Sequence, residues 1–65
     1  MATSSAELSS LATALDELSR RITVHADAAD AVKDEETARE LFAIERALTS
    51  ANRRLSRLSL TLSRR

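Results

Sequence analysis

Apolar positions recur through the first half of the chain at Leu8, Leu11, Leu15, Leu18, Ile22, His25, Ala29 and Val32, alternately three and four residues apart. This spacing is the a/d repeat of a heptad. It predicts an amphipathic helix whose stripe needs a partner. A second seam follows at Leu41, Ile44, Leu48, Ala51, Leu55, Leu58 and Leu62. The two seams are out of phase. With Leu8 as position a, the first register runs on to Glu36 and Ala43, whereas the second places a at Leu41 and Leu48. An offset of five is neither the four of a stutter nor the three of a stammer, so one continuous helix cannot carry both seams. The chain is expected to turn between Val32 and Leu41.

Local signals agree with a turn there. Ser4-Ser5-Ala6-Glu7 has the form of a capping box at the first helix start, and Thr37-Ala38-Arg39-Glu40 has the same form before the second seam. Lys33-Asp34-Glu35-Glu36 is left as the connection, with Asp34 as a rival cap whose following glutamates would suit a helix N-terminus. The expected fold is all-α: a single domain over residues 1–65, with helix 1 at about 5–32, a turn at about 33–37 and helix 2 at about 38–63. Folded as an antiparallel hairpin, residues whose numbers sum to about 70 share a layer at 1.5 Å per residue. Leu8 then meets Leu62, Ile22 meets Leu48 and His25 meets Ile44. Leu58 to Ser63 alternates with the period of a strand, but a lone strand has no partner, so helix is expected there too, with Leu60 pointing outward.

Composition sharpens this picture. The chain has no glycine, proline or cysteine, and Phe42 is its one aromatic residue. Without turn residues, long helices with one connection are favoured. Without cysteine there is neither a disulfide staple nor a thiolate metal site. At 65 residues, with a core of leucine and alanine, a lone hairpin sits at the lower limit of independent stability. Oligomerisation is the remedy left. Alanines flank the first seam at 12, 14, 26 and 28, where a two-stranded zipper carries charges, so dimerisation into a four-helix bundle is expected.

Ten acids balance ten bases, so net charge favours no partner. No apolar run approaches the roughly 18 residues of a membrane span, and the N-terminus lacks a signal peptide's basic and apolar regions, so membrane attachment is disfavoured and a cytoplasmic protein expected. One histidine, no cysteine and no glycine loop leave no catalytic, cofactor or metal site to expect. The acidic cluster of Asp27, Asp30, Glu35 and Glu36 reads as a solvated turn. His25 is the titratable residue on a seam, a candidate polar core layer or pH-sensitive position.

The arginines are unevenly placed. Residues Asp27 to Glu45 hold seven acids and two bases, whereas Arg46 to Arg65 hold six arginines and no acid. Candidate partner-binding residues are Arg39, Arg46, Arg53 and Arg57 on the outer face of helix 2, with Phe42 and Leu60 as apolar anchors. The layer rule pairs Arg53 and Arg54 with Asp16 and Glu17 across the hairpin. The expected function is a non-enzymatic assembly or regulatory adapter that binds itself and another protein as a helical bundle. The second reading is a nucleic-acid-binding hairpin dimer using the arginine face, disfavoured by the lack of stacking aromatics. The expected architecture resembles that of small RNA-binding hairpin dimers, although no motif is shared with them.

Overall fold

The computed structural model describes residues 3–64. Met1, Ala2 and Arg65, which fall within the expected domain and the arginine count, lie outside the described residues. Two helices pack against each other: α1 (Ser5–Ala31, 27 residues) and α2 (Glu35–Ser63, 29 residues). The hairpin measures 49 × 16 × 14 Å.

The helix starts follow from side-chain capping. Ser4 Oγ accepts from the Glu7 backbone N–H at 3.2 Å, and its extended backbone redirects the chain into α1. At the other start Asp34 is the cap, its Oδ1 accepting from the Thr37 N–H at 3.3 Å. The second helix therefore begins at Glu35, about three residues ahead of expectation, and Thr37 lies inside its first turn. The connection is short because α1 closes with a Schellman motif. The Asp34 N–H donates to the Ala29 carbonyl at 2.9 Å and the Lys33 N–H to the Asp30 carbonyl at 3.0 Å. That closure needs one left-handed residue, and Lys33 takes it at φ 64°.

The tight turn sets the register. Ser59 Oγ donates to the Ser5 carbonyl at 2.9 Å and lies 3.3 Å from Ser5 Oγ. Layer partners at this end therefore sum to 64, not about 70. Stepping inward by heptads from that contact brings Ala12 level with Asn52, Ser19 with Glu45, and Ala26 with Ala38.

The inward face also differs from the expected seam. The a positions pack inward: Leu8 is buried, and Leu15, Ile22, Ala29, Leu41, Leu48, Leu55 and Leu62 are half-buried. Beside them the hairpin buries the e positions, not d. Ser19, Ala26, Ala38 and Ser59 are buried there, with Ala26 fully inaccessible, and Ser5, Ala12, Glu45 and Asn52 are half-buried. Leu11, Leu18, His25, Val32, Ile44, Ala51 and Leu58, all expected between the helices, are exposed. Small residues at e let the helix axes approach closely, and the larger d side chains are displaced to one flank. Helix backbones meet where the side chains are smallest, so hydropathy ranks the wrong flank first.

Candidate interaction face

A helix advances 100° per residue, so d and e positions diverge by about 100° around each axis. Both helices bury the same a and e positions and run antiparallel, which turns their d positions to the same side of the hairpin. One broad face therefore carries Leu11, Leu18, His25 and Val32 from α1 beside Ile44, Ala51 and Leu58 from α2. Its large apolar members are open to solvent: Leu11 at 56%, Leu18 at 43%, Val32 at 75%, Ile44 at 43% and Leu58 at 50%. A shallow depression among Ala51, Arg54, Leu55 and Leu58 marks it. Exposed Ala14, Ala28 and Ala47 at g positions widen it, and Glu7, Arg21, Glu40 and Arg54 rim it.

The interior supplies little in compensation. No large side chain of the described residues is fully buried, and the buried apolar core is Leu8, Ala26 and Ala38. The accessible surface is 5037 Å², about 900 Å² above the roughly 4,100 Å² expected of a compact monomer of 7.1 kDa. A standard protein–protein interface removes about 800 Å² per partner.

The opposite side is polar. Arg39, Arg46, Arg53 and Leu60 fall at successive f positions and form one exposed stripe along α2. Arg46 and Arg53 flank a shallow groove with Glu45, Thr49 and Ser50. Arg57 projects from the neighbouring c position, off this stripe. Leu60 borders a separate cleft with Ser5, Ser9 and Ser56 at the open end of the hairpin. Phe42 is half-buried at a b position beside the seam, and His25 is exposed on the apolar face. Sequence order suggested one arginine surface, and the structure divides it in two.

Ion pairing is sparse. Among the described residues one salt bridge forms, Arg20 to Asp16 within α1. The expected pairing of Arg53 and Arg54 with Asp16 and Glu17 is absent. The register places Arg53 level with Leu11, and Asp16 is engaged by Arg20. Two polar side chains in the seam went unremarked by hydropathy: Glu45, whose Oε1 accepts from Thr49 Oγ1 at 3.0 Å, and Asn52, whose buried Oδ1 has no partner. Their signal was present as a heptad of small and polar residues, Ala38, Glu45, Asn52 and Ser59, next to the leucine heptad.

No group of three or more His, Cys, Asp or Glu capable of holding a metal ion occurs among the described residues, and no helix there is long and apolar enough to cross a membrane. No protein-family model, curated protein or solved structure matches the chain.

Proposed function

We propose that this protein is a non-enzymatic assembly or regulatory adapter that works as a homodimeric four-helix bundle. The observation that carries the reading is the apolar face itself. Leu11, Leu18, Val32, Ile44 and Leu58 stay exposed on it, whereas the buried residues beside Leu8 are alanine and serine. A second copy supplies the missing half of the core, because a long stripe of leucine, isoleucine and valine is best covered by another apolar stripe of the same length. The excess of accessible surface is of the size such an interface removes. Burial of about 25 cal/mol per Å² across that face gives the association its driving force.

Folding and association are then coupled, and thermal stability rises with protein concentration. Sedimentation equilibrium across the micromolar range, with parallel melting curves, tests this. A dimer with a concentration-dependent midpoint is expected, and a folded monomer throughout that range rejects the reading.

The exposed stripe of Arg39, Arg46 and Arg53, free of carboxylate partners among the described residues, favours a second reading. Such a stripe suits a phosphate backbone, and two copies of it would lie on opposite sides of the bundle.

A further inference from the structure

We infer that the second copy docks on the apolar face antiparallel to the first, with the two hairpin turns at opposite ends and a two-fold axis passing by Ala47. This arrangement rests on the dimer reading above and adds to it the orientation and the residues that select it.

The chain carries a charge gradient along its length. Residues Asp27 to Glu40, around the turn, hold six acids and two bases. At the open end, Arg53, Arg54, Arg57 and Arg64 are balanced by Glu7 alone. Two hairpins stacked with their turns together would set acid against acid at one end and arginine against arginine at the other. Stacked with turns apart, each acidic end lies over a basic end, and opposite charges within a Debye length of about 8 Å attract.

Residue spacing on α2 makes the match specific. Glu40 lies seven residues before Ala47 and Arg54 seven residues after it, all three at g positions. Two α2 helices crossing antiparallel at Ala47 therefore bring Glu40 level with Arg54 of the second copy. The two-fold repeats the pair, giving two. Both side chains are exposed, and neither is in a salt bridge among the described residues. Ala47 at the crossing leaves room for close approach.

The same axis is compatible with α1. The hairpin register, fixed by Ser5 and Ser59, puts residue 17 level with Ala47. Leu18 then lies within one residue of the axis and packs beside its own copy. Leu11 falls opposite His25 of the second copy, and Ile44 falls opposite its Ala51. Ile44 thus meets a small side chain, and no like charges at d or g positions face one another.

Two experiments test this. The chain lacks cysteine, so Lys33→Cys gives a single spin-label site at the turn. Turns at opposite ends place the labels about 40 Å apart, from 28 residues of helix at 1.5 Å each. Electron–electron distance measurement on samples shown by sedimentation to be dimeric should find that separation. A dimer with labels within about 20 Å, two helix diameters, overturns the arrangement while leaving the dimer reading intact. A monomer overturns both. Separately, Glu40→Arg sets arginine against Arg54 of the second copy and should raise the dimer dissociation constant on the order of tenfold. Combining it with Arg54→Glu should return the constant to near the parent value. Failure of the second substitution to rescue the first rejects the Glu40–Arg54 pairing.

Discussion

Two side chains in the seam show how the hairpin trades packing against polarity. Ala26 is fully inaccessible and level with Ala38, so at this layer two side chains that end at Cβ fill the space between the helices. Ala26→Leu forces extra volume into that contact and is expected to cost about 1–3 kcal/mol, measured by thermal or urea unfolding. Asn52, level with Ala12, has its Oδ1 buried without a partner. Asn52→Ala removes an unsatisfied acceptor and adds helix propensity, so stabilisation of about 1 kcal/mol is expected at the same protein concentration. If the inward stripe were a/d, Ala26 would face solvent and Ala26→Leu would leave the unfolding midpoint where it was. The leucines at a were legible from spacing alone, because any packing of these helices must bury them. Which neighbour accompanies them was not, since hydropathy ranks Leu11 and Leu18 above Ala12 and Ser19 while close helix approach prefers the reverse.

The turn is the element whose chemistry is most visible in the sequence, and it is tighter than the Thr37 capping box implies for a definite reason. Capping boxes at Ser4 and Thr37 look alike in sequence, yet Asp34 wins at the second helix because Schellman closure of α1 delivers the chain directly to it. That choice starts the second helix three residues early and shifts every layer of the hairpin. Lys33 occupies the left-handed position at φ 64°, where glycine has no Cβ to clash. Lys33→Gly is therefore expected to stabilise the fold by about 0.5–1 kcal/mol. Asp34→Ala, which removes the cap, should destabilise it by about 1 kcal/mol. Denaturant titration of both variants beside the parent measures these effects, and equal midpoints for all three would mean that the turn frays in solution.

At the scale of the whole molecule the hairpin has two exposed sides of different chemistry, and they can be altered independently. The leucine-rich side has surface to lose, and we assign self-association to it. The other side carries Arg39, Arg46 and Arg53 on one line, seven residues apart, about 10 Å at 1.5 Å per residue. Arg46 and Arg53 are f-position residues remote from the proposed dimer contact, so Arg46→Gln with Arg53→Gln should leave sedimentation behaviour unchanged and thermal stability within about 0.5 kcal/mol, the ordinary range for surface substitutions. A loss of dimer on this double substitution would place the interface on the wrong side of the hairpin. The same variant distinguishes the two functional readings. For an adapter that works through protein contacts, filter binding or anisotropy with short RNA and DNA should show no salt-sensitive association for either protein. For a nucleic-acid-binding dimer, the parent binds with an affinity falling steeply with salt, and the double variant loses about two units of that logarithmic slope per chain. We expect the first pattern, because the stripe ends at Leu60 after three arginines and is neighboured by Glu45, and no tyrosine or tryptophan stands beside it to stack a base.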